Sequence, residues 1–179
     1  SALFGVPAEF TYSSASNNYT DSSFCLSPAA LFNPGVFRSR EAGGYQSPTQ
    51  FADSFRTPSV TQCLHPSLKT RMCEYGWYRG APADGLAFTA GLESSPYTMF
   101  FDGSVSSVRM ADAQQQDFTV YDASPTKDGL WTRETPFGKF GWDPMDQRFE
   151  GRASGFHMLT RDGILGRDLL TRDSNGGGR

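Results

Sequence analysis

Apolar residues along this chain recur in short runs that rarely sustain a helical or a strand period, and prolines from Pro7 to Pro144 cut most of these runs short. Ser27 to Leu31 reads as one helical turn closed by Asn33-Pro34-Gly35. Ser47 to Arg56 reads as a short helix with Phe51 and Phe55 on one face, Thr57 to Leu64 as a further turn or two, and Pro66 to Tyr75 as a third helix ended by Gly76. The middle changes character. Leu86 to Ala90, Tyr97 to Phe101 and Ser104 to Val108 have strand composition, and Asp102-Gly103 between the last two is a hairpin turn signal. Phe118 to Tyr121 is another short strand candidate, whereas Met110 to Gln116 suits a helix. Leu159 to Asp173 is the strongest helix candidate, weakened by Gly163 and Gly166. Within it Leu159-Thr160-Arg161-Asp162 recurs as Leu170-Thr171-Arg172-Asp173, an offset that would put both copies on nearly one helix face.

Together these elements predict a mostly irregular chain with short helices and a small β-hairpin element, low in regular secondary structure. The alternative is a small α+β or β-rich domain with long arms. The expected organisation is an irregular N-terminal arm over residues 1–26, proline-capped short helices and loops over 27–85, a small β-rich segment over 86–121, a Gly/Pro/aromatic loop region over 122–158, and a C-terminal helix with a flexible tail over 159–179.

Composition sharpens this picture. The aromatic residues number 25 and Ile, Leu and Val together 19, too few branched aliphatics for the buried strands of a doubly wound parallel sheet. No stretch approaches the roughly 18 apolar residues of a membrane span. A net charge of -3 gives no nucleic-acid footprint. Arg outnumbers Lys by 13 to 3, and Arg with aromatic residues is the composition of interface cores, although GC-rich coding gives the same bias. Cys25, Cys63 and Cys73 form no even disulfide set, which favours a reducing, intracellular compartment.

A search for chemistry finds little. Gly151-Arg152-Ala153-Ser154-Gly155 has the wrong spacing for a nucleophile elbow, and no phosphate-binding glycine loop is present. Cys25, Cys63, His65 and Cys73 lack the spacing of a zinc knuckle. Asp143, Asp146 and Glu150 could share a helix face as paired carboxylates, but with Arg148 and Arg152 interleaved they read as a solvated or salt-bridged face. No catalytic residue, metal ligand or cofactor is therefore assigned. What remains are rings set beside guanidinium groups or between glycines: Phe37 and Arg38, Phe55 and Arg56, Tyr78 and Arg79, Phe137, Phe140 and Trp142, and Arg148 and Phe149. Rigid aromatic anchors on short segments suit docking onto a folded surface, so these residues are the expected partner contacts.

The Pro-, Arg- and aromatic-punctuated segments from Ser27 to Arg79 and from Thr135 to Arg152 resemble in style the small microtubule inner proteins of cilia and flagella. That resemblance implies a non-enzymatic structural protein docked in largely extended form on a tubulin lattice with neighbouring accessory proteins, in the cilium or flagellum. Accessory subunits of other large assemblies fit the same pattern. Two other readings stand beside it: a compact β-rich ligand- or carbohydrate-binding module lined by Trp77, Trp131 and Trp142, and an enzyme using Cys63 or Cys73 with His65 or His157.

Overall fold

The computed structural model describes residues 24–38, 52–74, 91–124, 127–132 and 154–172. Within them one antiparallel sheet takes its strands in chain order: β1 (Phe24–Leu26), β2 (Thr70–Glu74), β3 (Tyr97–Phe100) and β4 (Val105–Ser107). A single helix, α1 (Met110–Ala123), follows, and the remaining described segments are turns and short 3-10 pieces at Pro28–Ala30, Pro34–Phe37, Val60–Gln62 and Gly163–Leu165. The result is a small α+β arrangement low in regular structure.

Register explains which residues enter the core. Cys25, Cys73 and Thr98 lie side by side across three strands, and all three are buried. The opposite face carries Leu26, Met72, Met99 and Val105 in one row, each partly or largely exposed. Beneath the inner face, Phe37, Phe100, Met110, Ala113, Trp131, Phe156 and Leu159 belong to one apolar cluster. Trp131 meets Phe156 edge-on, with ring centroids 6.3 Å apart.

The hairpin expected at Asp102-Gly103 is present. Gly103 adopts φ 84° and donates its N–H to the Phe100 carbonyl at 3.0 Å, the Phe100 N–H donates to the Ser104 carbonyl at 2.9 Å, and the Asp102 carboxylate accepts from the Ser104 N–H at 2.9 Å.

Three expected elements are corrected. Over its described residues 66–74 the helix expected from Pro66 to Tyr75 does not form: after a turn at 66–68 the chain becomes β2, a central strand buried partly on both faces, so its apolar positions do not alternate. Arg71 is a bulge in the β2–β3 register and points to solvent, which further disturbs the period. Phe118 to Tyr121 belongs to α1 rather than to a strand. The inward positions of that helix, Met110, Ala113, Gln114 and Asp117, keep helical spacing but half of them are polar, which hides the stripe.

The helix expected from Leu159 to Asp173 is replaced, over its described residues 159–172, by successive turns. Asp162 and Gly163 are both left-handed, at φ 59° and 56°, and a Cβ on Gly163 would stand 3.0 Å from the Phe37 ring. A Cβ on Gly166 would fall 1.9 Å from the Arg161 carbonyl oxygen. The two glycines thus dictate a folded loop, and the echoed Thr160 and Thr171 end in different surroundings, one buried and one exposed. Of the expected helix from Ser47 to Arg56, residues 52–55 form turns, and 47–51 lie outside the described residues, as do the Leu86 to Ala90 strand, the N-terminal arm before Phe24 and the tail after Arg172.

Polar groups on α1 fasten the loops. Asp117 Oδ1 accepts from the Trp131 N–H at 3.1 Å, and Gln116 Oε1 accepts from the N–H groups of Leu170 and Thr171 at 2.7 and 3.1 Å. Gly129 makes the first contact possible, since a Cβ there would stand 2.2 Å from Asp117 Oδ1 and 2.7 Å from its backbone oxygen. Gly129→Ala is expected to cost about 2 kcal/mol or more in urea unfolding, because the obstructing atoms include main chain and a buried acceptor. A neutral effect would show that this junction is loose.

Candidate functional site

Below the sheet lies a cluster of ionisable and hydroxyl side chains that sequence reading did not assemble. Lys69 precedes β2 directly, Ser27 follows β1, and His157, Thr160 and Asp168 come from the C-terminal loop; all five are fully buried. Lys69 Nζ lies 2.8 Å from Asp168 Oδ2 and 3.0 Å from Oδ1. It also donates to Thr160 Oγ1 at 2.8 Å and to Ser27 Oγ at 3.3 Å, so each of its three N–H groups has an acceptor.

The acceptors are equally engaged. Asp168 Oδ2 takes a second bond from the Thr70 N–H at 2.7 Å, and Oδ1 accepts from the Thr160 hydroxyl. The Asp168 N–H donates to the Leu68 carbonyl at 2.9 Å, so one aspartate clasps the chain on either side of Lys69. The Ser27 hydroxyl in turn donates a hydrogen bond to the His157 carbonyl at 2.9 Å. His157, held at φ 52°, turns Nε2 toward Cys25 Sγ at 3.7 Å, and its buried Nδ1 has no hydrogen-bond partner among the described residues.

Burial governs the protonation states. Loss of solvent lowers the Lys69 ammonium from its ordinary range, and the Asp168 carboxylate opposes that shift. His157 is pushed down to about 3, chiefly by burial and against the pull of Asp168, so it is neutral at physiological pH. The Cys25 thiol is pushed up to about 12 and Cys73 well above its usual range, both mainly by burial. Cys25 and His157 are therefore a neutral thiol beside a neutral imidazole, the reverse of an activated pair.

Serine beside lysine is, in other settings, the beginning of a nucleophile and base. Here the lysine is paired with Asp168, its donors are spent, and the Ser27 hydroxyl donates to a carbonyl. The groups have no surface exposure through which a substrate could reach them. The chemistry that this geometry performs is cohesion: it ties the end of β1, the start of β2 and the C-terminal loop to one another.

Of the residues expected to meet a partner, Phe37 lies in the core, its ring against Gly163. Arg38 is half-buried beside it. Phe55 and Arg56 are exposed, although Phe55 also tilts onto Phe32 with ring centroids 5.5 Å apart. Arg56 borders an open groove of about 530 Å³ with Pro34, Pro58 and Gln62. Tyr78, Arg79, Phe137, Phe140, Trp142, Arg148 and Phe149 lie outside the described residues. Arg172 shows that guanidinium–ring pairing also serves inside the molecule: it stands 4.3 Å above the Phe100 ring and donates to Ser104 Oγ at 2.6 Å. Trp131, a candidate ligand platform, is fully buried, while Trp77 and Trp142 are outside the described residues. Cys63 is half-buried and His65 lies two residues on in the same loop, whereas Cys73 bonds Thr98 at 3.3 Å within the sheet.

Among the described residues no group of three or more His, Cys, Asp or Glu is placed to hold a metal ion, and no helix is long and apolar enough to cross a membrane. No protein-family model matches the chain, and comparison with curated proteins and with solved structures finds no match.

Two expectations follow from the cluster. Lys69→Met leaves the Asp168 carboxylate buried without its counter-ion and should cost about 3–5 kcal/mol, while the double change with Asp168→Asn should cost clearly less than the two single changes added together. Additive effects below about 1 kcal/mol would remove the pair from its structural role.

The second concerns pH. Folded His157 titrates near 3 and an unfolded imidazole near 6.5, so below that upper value the unfolded chain takes a proton that the folded chain refuses. The His157 contribution is therefore intact above about pH 6.5 and is lost at up to about 1.4 kcal/mol per pH unit as pH falls toward 3. Asparagine tolerates the left-handed backbone, so His157→Asn should flatten this part of the stability curve; an unchanged slope would contradict the assignment.

Proposed function

We propose that the chain is a non-enzymatic assembly protein that docks on a larger protein complex, with the outer face of its sheet as part of the docking surface. The observation that supports this reading is the cross-strand row of Leu26, Met72, Met99 and Val105 on the solvent side, flanked by Phe24 and Tyr97, which are 45% and 43% exposed. Six apolar side chains fixed in register on a hydrogen-bonded sheet form a pre-ordered surface, and contiguous exposed apolar area of this kind marks interaction sites. Phe55 and Arg56, with the exposed Val60 and Leu64 further along the same loop, offer further anchors of the type expected from the sequence.

Compared with a wholly extended chain, this is docking by a body that already has a core. The buried cluster supports a binding role from the other side: the nucleophile-like groups in it are spent on cohesion, leaving the surface as the functional part.

The reading is tested by extracting the protein from its source and following its size by gel filtration and sedimentation. The native chain is expected to migrate with a large particle. Met99→Lys, on the outer face, is expected to release it while shifting the thermal midpoint by no more than a few degrees. A native chain that migrates free of any larger particle would overturn the proposal.

A further inference from the structure

We propose that β4 is a self-pairing edge, along which two copies of this chain join antiparallel about a twofold axis at Ser106 and so continue one sheet through the dimer. The β3–β4 ladder fixes which backbone groups are free to do this. Phe100 donates to the Ser104 carbonyl at 2.9 Å and Val108 donates to the Pro96 carbonyl at 3.0 Å, which puts the bonded rungs at Ser104, Ser106 and Val108. Val105 and Ser107 fall between rungs, so their N–H and C=O groups point away from β3. Among the described residues no hydrogen bond reaches the backbone of either, and Val105 is 60% exposed.

This edge is self-complementary. With Ser106 on the axis, Val105 of one copy faces Ser107 of the other, and each such pair exchanges two backbone bonds, four in all. β4 carries no Lys, Pro or bulge, the devices that normally block strand addition. Charge fixes the antiparallel register. The same twofold brings Arg109 of one copy opposite Gly103 of the other, next to Asp102, and it does so at both ends of the paired strands. Arg109 and Asp102 side chains are 63% and 32% exposed; their present partners, Asp112 and Arg172, leave both on the surface. A strand of a different protein could use the open edge but would not by itself supply this twofold charge match. Three residues of edge give a small interface, so the dimer is reversible and concentration-dependent.

The test uses the purified full chain alone under reducing conditions, so its failure would leave the docking reading untouched. Sedimentation velocity across micromolar to millimolar protein should show a monomer–dimer equilibrium. Val105→Pro removes an outward N–H that β3 does not use; by symmetry two dimer bonds vanish, and the dissociation constant should rise about tenfold or more. Arg109→Glu should weaken the dimer as well, whereas Val60→Ser, at an exposed site in another loop, should not, with thermal melts confirming that each variant is folded. A chain that stays monomeric throughout, or a dimer indifferent to both Val105→Pro and Arg109→Glu, would overturn the proposal.

Discussion

The described fold turns on one buried ion pair. Lys69 and Asp168 are both without solvent exposure, and their desolvation is tolerable because all three Lys69 N–H groups and both Asp168 carboxylate oxygens are engaged. Asp168 accepts from Lys69, Thr70 and Thr160, and Lys69 donates to Asp168, Thr160 and Ser27. These contacts span nearly the whole described chain, from the end of β1 to the loop that ends at Arg172. A chain with few aliphatic residues and one described helix replaces part of the usual hydrophobic cohesion with a polar clasp whose geometry is specific.

The loops follow from that clasp. Asp168 reaches Lys69 because residues 154–172 fold back through the left-handed His157, Asp162 and Gly163, with Phe37 closing over the last of these. Backbone bonds from Thr132 to Leu159 and from Arg161 to Leu130 hold the same loop against the segment carrying Trp131. At its far end Arg172 stacks on Phe100 and binds the hairpin at Ser104. Core and polar cluster are thus one construction, and the outer face of the sheet is left as apolar surface because the inner face takes the packing.

The parts legible in the sequence are those decided locally. Asp102-Gly103 specifies its turn through the positive φ of glycine and the carboxylate of aspartate, and the strands on either side follow. Ser27-Pro28 opens its short turn through the preset φ of proline at the first helical position, although the Ser27 hydroxyl goes to the His157 carbonyl and does not cap the turn. What escaped is decided at a distance. β2 lies between two strands and loses the alternation that marks a strand, and α1 points Gln114 and Asp117 inward, where they count against an apolar stripe. Gly163 and Gly166 look like blemishes in a helix until Phe37 and the Arg161 carbonyl are in place. Lys69 is one of three lysines and sits between Leu68 and Thr70, a charge in a half-apolar run, which is the one local hint of the cluster; its partner lies ninety-nine residues away. The guanidinium–ring pairs were legible as a class, yet Arg172 on Phe100 shows that the class includes internal contacts.

The central claim, that the Lys69–Asp168 clasp opens only when the whole described core opens, is tested most directly by native-state hydrogen exchange. The Thr70 amide bonds the Asp168 carboxylate and the Asp168 amide bonds Leu68, so both report on the clasp itself. They should exchange with the same free energy as the amides of β3 and with the global unfolding free energy from denaturant melts. Exchange of the Thr70 and Asp168 amides at much lower free energy than β3 would mean that the C-terminal loop detaches on its own, and would contradict the account.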